Sequence, residues 1–367
     1  MRFFYIEHHK HFDRRAVLQN KRRLVSKWKK KKERREVSGY YLGKGRRALK
    51  KLGRHTYELT LPEVFSFERN HNSTVSELAT LRRYAETRGI RFFVNFREIT
   101  ELESVASLAL ASEVHRWSQQ VSQPLTTPAR LWNGDVKRAF YQMGLFELLE
   151  IGNTTPTTGD RTYVKFIFGD SANGDSARRI RTALEEVSNS KIDKKIAYEG
   201  ITEAMNNVLH HAYPETSRNE EIFSVSKPWW LGGSYLQSED RLAITFCDHG
   251  VGIPYTLPRK YGIEKVRAFF SAVTNPDDAQ MIEAAFEMGR TETLLSHHGK
   301  GLQEIRNFVD NYPTASLRVL SSRGEYLYLR KDGRVSVKKR THPNAYKGTI
   351  IEWQIPRIHE PVEDNGT

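Results

Sequence analysis

The sequence predicts an α/β protein whose strands form sheets covered by amphipathic helices. From residue 56 onward, short strand-like segments alternate with segments of helical periodicity, and this order is typical of sheets packed against helices. The chain has 367 residues, of which 38% are hydrophobic, and this is enough to bury sizeable cores in two domains. The last part of the chain is β-rich and ends with GTIIEWQIP.

The first predicted domain covers residues 56–188. Gly89 follows one of its helices as a predicted C-cap, and Gly144 interrupts another helix. Strands are predicted over residues 56–67, 90–96 and 162–170, and helices over residues 73–88, 102–117, 135–150 and 177–187.

The second predicted domain covers residues 189–358, and a flexible tail is expected at residues 359–367. Trp229 and Trp230 are interpreted as packing residues beside a Gly-Gly turn. Strands are predicted over residues 221–226 and 241–247, and helices over residues 193–213, 265–286 (interrupted at TNPDD) and 301–311.

Positive charge is concentrated in a basic N-terminal arm, residues 1–55. The arm holds 20 Lys and Arg against 4 Asp and Glu, whereas the remaining chain holds 38 against 40. Such an arm can neutralise the phosphates of nucleic acid or of anionic lipid. The alternative, slightly favoured because no base-reading residues are recognisable, is a solvated or partner-docking extension.

The single cysteine, Cys247, excludes an intramolecular disulfide and a cysteine-based zinc site. We interpret it as a small buried strand residue. The N-terminal sequence has no apolar segment typical of a secretory signal. No apolar run approaches the ~20 residues of a membrane span. The expectation is a cytoplasmic protein without a membrane span.

Candidate chemistry begins on the helix predicted over residues 193–213. Glu203, Asn207 and His211 are spaced by four residues, so their side chains share one helical face beside a separate apolar stripe. A carboxylate, an amide and an imidazole in a row indicate a metal-facing surface. The alternative is a solvated polar face, and on this segment alone the two interpretations are equally supported.

Three later segments add glycine-rich turns. ITFCDHGVGIP places Asp248 at a strand end before Gly250 and Gly252, where a carboxylate can accept an amine hydrogen while backbone comes close to a flat ligand. HHGKGLQEI places glycines and a lysine at a helix start, which favours phosphate. Gly348-Thr349 opens the last strand. Each segment alone is a common turn.

Together and in this order, the four segments resemble the N, G1, G2 and G3 boxes of the GHKL ATPase superfamily. That superfamily includes gyrase B, the large heat-shock chaperones, histidine kinases, anti-sigma kinases and mismatch-repair ATPases. The resemblance covers roughly residues 190–357. It implies a two-layer α/β sandwich, the Bergerat-type ATP-binding fold, for the second domain.

The resemblance also implies roles for individual residues. Asn207 would hold Mg²⁺, Asp248 would accept the adenine amine, and Glu203 would be the general base. Residues 253–298 would form a movable lid over ATP. His211 matches a position that is often His in the anti-sigma-like branch. The implied cofactor-binding positions are Asn207, Asp248, Gly250, Gly252, Ile253, Gly299, Lys300, Gly301, Leu302 and Thr349.

The first domain resembles a STAS-like domain, the fold of anti-sigma-factor antagonists. IRFFVNF followed by ITELESVASLALASEV matches the strand, loop and helix that present the phosphorylatable serine in that family, and Ser104 lies closest to that position. The family's Asp-Ser-Ser-Gly-like run is replaced here by Glu103, Ser104, Val105 and Ala106. We therefore favour an ordinary helical role for Ser104.

Four classes of function remain open from the sequence. We expect an ATP-binding, ATP-hydrolysing regulatory or signalling protein whose lid closure changes its conformation. The alternatives are an anti-sigma-like serine kinase, an ATP-binding interaction module, and a nucleic-acid-linked ATPase that uses the basic arm. Expected partners are ATP, Mg²⁺ and a protein bound through the STAS-like domain, and the resemblance adds a homodimer.

Overall fold

The computed structural model describes residues 49–85, 87, 90–121, 124–152, 158–214, 227–270, 275–293 and 301–358, which belong to one compact unit, Gly45–Thr367. The basic arm up to residue 48, Gly89, the predicted strand at residues 221–226 and the tail at residues 359–367 lie outside these ranges. The strands are β1 (Leu49–Gly53), β2 (Thr56–Thr60), β3 (Val64–Phe65), β4 (Arg91–Asn95), β5 (Glu101–Leu102), β6 (Leu125–Thr126), β7 (Arg161–Gly169), β8 (Trp229–Leu236), β9 (Arg241–Asp248), β10 (Ala315–Lys331) and β11 (Arg334–Pro356).

The helices alternate with these strands as the sequence predicts, so the mixed α/β class is confirmed. None of the helices among the described residues is long and apolar enough to span a membrane. The α-helices are α1 (His71–Ala85), α2 (Ser104–Ser118), α3 (Gly134–Met143), α4 (Leu145–Leu148), α5 (Gly174–Ser188), α6 (Lys194–Asn207), α7 (Ile253–Tyr261), α8 (Ile263–Phe269), α9 (Asp278–Thr293) and α10 (Gly301–Asp310).

The N-terminal half is built around a four-stranded sheet with the order β1-β2-β4-β6. β1 and β2 are antiparallel, whereas β2, β4 and β6 are parallel neighbours connected through α1 and α2. Gly144 ends α3 with a φ of 87°, a left-handed conformation that glycine adopts without strain. This explains the interruption predicted between α3 and α4.

The C-terminal half is built around a five-stranded antiparallel sheet with the order β10-β11-β9-β8-β7. The central strand β9 is buried on both faces: Leu242, Ile244 and Phe246 face the core formed with α5, α6 and α10, whereas Cys247 faces the core of the N-terminal half. The cores of the two halves therefore pack against opposite faces of this sheet.

Two features differ from the sequence-based expectations. β7 and α5 belong to the five-stranded sheet and its core, although the predicted first domain ran to residue 188. Gly232 and Gly233 lie within β8 instead of forming a turn. An added Cβ would lie 3.0 Å from Leu108 at Gly232 and 2.8 Å from Leu184 at Gly233. The glycines therefore let α2 and α5 approach the two faces of the strand.

Candidate functional site

The motif segments singled out in the sequence meet at one cavity between α6, α7, α9, α10 and the ends of β9 and β11. The cavity holds about 70 Å³. Six of the predicted binding residues line it, and they come from four separate segments of sequence: Asn207, Asp248, Gly252, Ile253, Leu302 and Thr349.

Asp248 lies at the end of β9, where it is only 4% exposed. Its Oδ1 accepts a hydrogen bond from the backbone N–H of Gly250 at 2.7 Å. Burial raises the pKa of Asp248 to about 7. Near neutral pH this carboxyl can therefore exchange its proton for a hydrogen bond from a ligand amine.

Gly250 and Gly348 are needed because backbone passes directly beside them. A Cβ on Gly250 would lie 2.3 Å from the carbonyl oxygen of Ala212. Gly348 has a φ of 122°, and a Cβ there would lie 2.0 Å from the carbonyl oxygen of Asp248. The two glycine motifs thus allow the loop after β9 to pack against Ala212, in the turn that follows α6, and against β11.

Ser321 ties the two loops together, although the sequence analysis did not single it out. Its Oγ accepts the backbone N–H of Ile253 at 2.8 Å and lies 3.0 Å from Oγ1 of Thr349. Ser321 precedes an irregularity in β10, where the register with β11 shifts. Such bulges re-aim side chains, but an isolated serine in a strand carries no sequence signal for this role.

Glu203 and Asn207 meet on α6 as the four-residue spacing predicts. The Asn207 amide donates to the Glu203 carbonyl at 3.0 Å and to its Oε1 at 3.2 Å. This leaves Asn207 Oδ1 as the amide atom able to bind a cation. Burial, followed by the nearby charge of Glu304, raises the pKa of Glu203. A carboxyl with a raised pKa is suited to accept a proton near neutral pH.

Gly301 begins α10 directly against the Glu203 carboxylate. An added Cβ at Gly301 would lie 2.1 Å from Glu203 Oε1, so only glycine permits this approach. Gly299 and Lys300 lie outside the described residues, and their predicted phosphate role stays a prediction. Of the HHGKGLQEI segment, Gly301 contacts Glu203 and Leu302 lines the cavity.

After Asn207 the helix widens into a π-helical turn, Val208–Ala212, where a regular helix was expected up to residue 213. The backbone N–H of Val251 donates to the carbonyl of Ala212 at 2.9 Å, so this end of the helix is fixed by the loop after β9. His211 still lines the cavity. Burial, with the charge of Lys260, lowers its pKa. Insertions of this kind are frequent at functional sites.

Helix α7 forms the opposite wall and contributes Thr256, Leu257, Lys260 and Tyr261. Lys260 acts electrostatically on both Glu203 and His211: its charge opposes the rise in the pKa of Glu203 and adds to the fall in the pKa of His211. The sequence analysis treated this helix only as part of the lid. The spacing from Ile253 through Thr256 to Lys260, one helical face starting right after the glycines, is the signal that could have identified Lys260.

Helices α7, α8 and α9, which lie within the predicted lid, share an apolar cluster. Leu257 and Tyr261 of α7 and Val266 of α8 pack with Met281 and Ala285 of α9. This cluster is separate from the main core, although α9 contributes to both, since its Ile282 and Phe286 belong to the main core. A separately packed α7–α8 segment can change position without opening the main core.

His249, which follows Asp248, does not line the cavity. It is buried against α2, with Nε2 2.9 Å from Oγ of Ser112 and 3.5 Å from the Glu113 carboxylate. Its backbone N–H donates to the hydroxyl of Tyr213 at 3.1 Å. Burial lowers its pKa well below the usual value, so it is a neutral residue that anchors the loop to the N-terminal half.

Arg82 of α1 reinforces this anchor from the N-terminal half. Its Nε donates to Glu113 at 2.7 Å, and its Nη1 donates to the carbonyl of Lys347 at 3.2 Å. Lys347 precedes Gly348-Thr349, so one buried ion pair supports both loops that carry Asp248 and Thr349.

Ser104 is the first residue of α2 and is only 7% exposed. Its hydroxyl lies 2.7 Å from that of Ser234 in β8. In this arrangement it is a buried helix residue, and a phosphate donor has no access to it.

A metal at this site would depend on ligands other than a preformed acidic cluster. Within the described ranges, no group of three or more His, Cys, Asp or Glu side chains could hold a metal ion. Mg²⁺ is commonly bound by one or two protein oxygens together with substrate phosphates. The free Oδ1 of Asn207 beside Glu203 fits that mode.

The residue assignments above rest on the sequence motifs and on the geometry of the site. No protein-family model matches the chain, and no curated protein is significantly similar to it in sequence.

Proposed function

We propose that this protein is a Mg²⁺-dependent ATPase of the GHKL type, with a Bergerat-type fold in its C-terminal half. The observation that carries the proposal is the convergence of four ordered motif segments on one cavity. A buried carboxylate, Asp248, is available for the adenine amine, and Asn207, which is hydrogen-bonded to Glu203, lines the same cavity. The antiparallel sheet with helices α5, α6 and α10 on one face is compatible with the two-layer sandwich.

In this proposal each residue has a separate task. Asp248 and the glycine-shaped loops receive the adenine, and Asn207 Oδ1 with the phosphates holds Mg²⁺. Glu203 accepts a proton from the attacking water, since burial has raised its pKa. Lys260 supplies a positive charge near the Glu203 end of the cavity.

ATP binding would require movement of the lid. The cavity of about 70 Å³ is well below the ~300 Å³ at the lower end of ordinary ligand sites. Because α7 and α8 pack in their own cluster, their displacement from α6 would open space for the nucleotide. Closure over ATP would then couple nucleotide binding to a conformational change, as expected for a regulatory protein. We propose that the STAS-like half serves as its regulatory or partner-binding part.

The test is to separate binding from hydrolysis with matched variants of one helix. Glu203→Gln should bind Mg²⁺-ATP with an affinity close to that of the wild type but release no phosphate. Glu199→Gln, one helical turn earlier and half-exposed beside Lys195, should leave both unchanged. Absence of ATP binding by the wild type would refute the proposal. Unchanged turnover in Glu203→Gln would remove Glu203 from the role of base.

Hydrolysis is preferred over serine phosphotransfer because the candidate acceptor is closed off. The Ser104 hydroxyl is hydrogen-bonded to that of Ser234 within the interface between the halves. Incubation with γ-labelled ATP should therefore yield free phosphate and no labelled protein. Label on Ser104 would instead favour the kinase alternative.

A further inference from the structure

The last two strands continue beyond the five-stranded sheet as a two-stranded hairpin. β11 pairs with β9 only from Thr349 onward, whereas β10 and β11 remain paired up to Lys331 and Arg334. The turn is Asp332-Gly333, with φ of 50° and 77°, and such a pair is typical of tight hairpin turns. Residues 334–341 are all exposed.

Residues 330–340, which we call the basic hairpin, are strongly positive. They contain six Lys and Arg and one Asp, whereas residues 56–367 as a whole carry 38 Lys and Arg against 40 Asp and Glu. The hairpin is therefore a local concentration of positive charge on a body that is otherwise slightly acidic.

The two strands that lead into the basic hairpin are held on the body through one face. Tyr326 of β10 stacks on Phe286 of α9 with ring centroids 4.9 Å apart, and the Tyr328 hydroxyl donates to Asp310 at 2.6 Å. Alternation along β11 places Arg334, Lys338 and Arg340 on the opposite, outward face. Lys331 lies directly across from Arg334 and completes this basic row.

The outward charges are poorly neutralised by the protein itself. Within the described part of the chain, Lys331, Arg334 and Lys338 have no acidic partner within 4.0 Å, and Arg340 reaches Glu325 only at 4.0 Å. The direct pairing of Lys331 with Arg334 is unfavourable, because like charges opposite each other destabilise a hairpin. A bound polyanion would relieve this repulsion.

We propose that the basic hairpin docks duplex DNA through its phosphates, with Lys331, Arg334, Lys338 and Arg340 as the contacting residues. A two-stranded ribbon has the width that the major groove of B-DNA admits, and a row of cations can neutralise the phosphates that border the groove. An anionic membrane fits less well. Val335 and Val337, the exposed large apolar residues of the hairpin, alternate onto the face opposite the basic row. Leu327 and Leu329 share the face of that row but are half-buried, so no exposed large apolar side chain of the described hairpin accompanies the charges.

Contact at the hairpin can be measured with a single label on the full chain. Cys247 is fully buried, so Ser336→Cys on the outward face and the matched control Ser171→Cys each provide one reactive thiol for a fluorophore. Adding a DNA duplex of random sequence should shield the label at residue 336 from a neutral quencher and leave the label at residue 171 accessible. Equal shielding of both labels, or of neither, would overturn the proposal. Anionic lipid vesicles or duplex RNA that shield residue 336 while DNA does not would also overturn it.

The phosphate contacts can be counted from salt dependence. Replacing Lys331, Arg334, Lys338 and Arg340 with Gln should reduce the slope of log affinity against log salt by about 3.6, which is about 0.9 for each of four phosphate contacts. The charge-matched control replaces four exposed basic residues elsewhere on the protein with Gln: Arg97, Arg179, Lys194 and Lys195. Because both variants keep the N-terminal arm, its contribution cancels in the comparison. Slopes that are equal in the two variants would refute the assignment.

Discussion

The ion pair between Arg82 and Glu113 should be essential for stability, because removing one partner leaves a buried charge. The Glu113 side chain is 1% exposed and that of Arg82 is 9% exposed. In Arg82→Met the carboxylate keeps, among the described residues, Arg116 at 3.4 Å and a neutral His249 at 3.5 Å. Breaking a buried pair in this way costs about 3–5 kcal/mol of unfolding free energy. We expect the lower end, about 3 kcal/mol, because Arg116 remains.

Urea unfolding of the full chain measures this loss of stability, and two further variants test whether the unpaired buried charge causes it. Arg69→Met is the matched control, since Arg69 and Glu101 form an exposed pair with side chains 64% and 39% exposed and should contribute less than about 1 kcal/mol. The double variant Arg82→Met/Glu113→Gln removes the unpaired charge and should recover part of the loss. If Arg82→Met is no more destabilising than Arg69→Met, or if the double variant recovers nothing, the reasoning is refuted.

Three further predictions concern the candidate site. Gly301→Ala should displace the Glu203 carboxylate, which lies 2.1 Å from the added Cβ, and lower the rate of phosphate release at least about tenfold with little change in thermal stability. Gly348→Ala, with φ at 122° and backbone 2.0 Å away, should lose more than about 2 kcal/mol in urea unfolding, clearly more than Gly333→Ala, where the added Cβ meets open space. The pKa of Asp248 is raised from 3.8 to about 7, so between these values the folded state holds a proton that the unfolded state has lost. The unfolding free energy should therefore fall as pH rises from about 4 to about 7, and Asp248→Asn should flatten that slope. A steeper or unchanged slope in Asp248→Asn would contradict the cause given for the shift.

Local sequence patterns predicted most helices and strands, because their periodicity and terminating residues are encoded locally. The break at Gly144 and the start of α10 at Gly301 are examples. The placement of β7 was not predictable in the same way. A strand's own residues do not reveal which sheet it joins, and β7 pairs with β8 only after the chain has passed through α5 and α6.

In the candidate site, too, locally encoded features were predictable and long-range contacts were not. The glycine motifs indicated the loops around Asp248 and Thr349, since close backbone approach requires glycine. Ser321 and the Arg82–Glu113 pair could not be predicted, because their partners lie far away in sequence. Ser321 meets Gly348 across 27 residues, and Arg82 meets Lys347 across 265 residues. Only packing of the two halves brings these groups together.

Titration of the full chain with Mg²⁺-ATP and Mg²⁺-GTP, for the wild type and for Asp248→Ala, tests the central claim most directly. If the cavity accepts adenine at Asp248, the wild type should bind ATP saturably and more tightly than GTP, because GTP carries a carbonyl where ATP offers an amine to the carboxylate. Asp248→Ala should weaken ATP binding at least about tenfold, which corresponds to about 1.4 kcal/mol. Failure of the wild type to bind ATP, or equal binding of both nucleotides that Asp248→Ala leaves unchanged, would contradict the account.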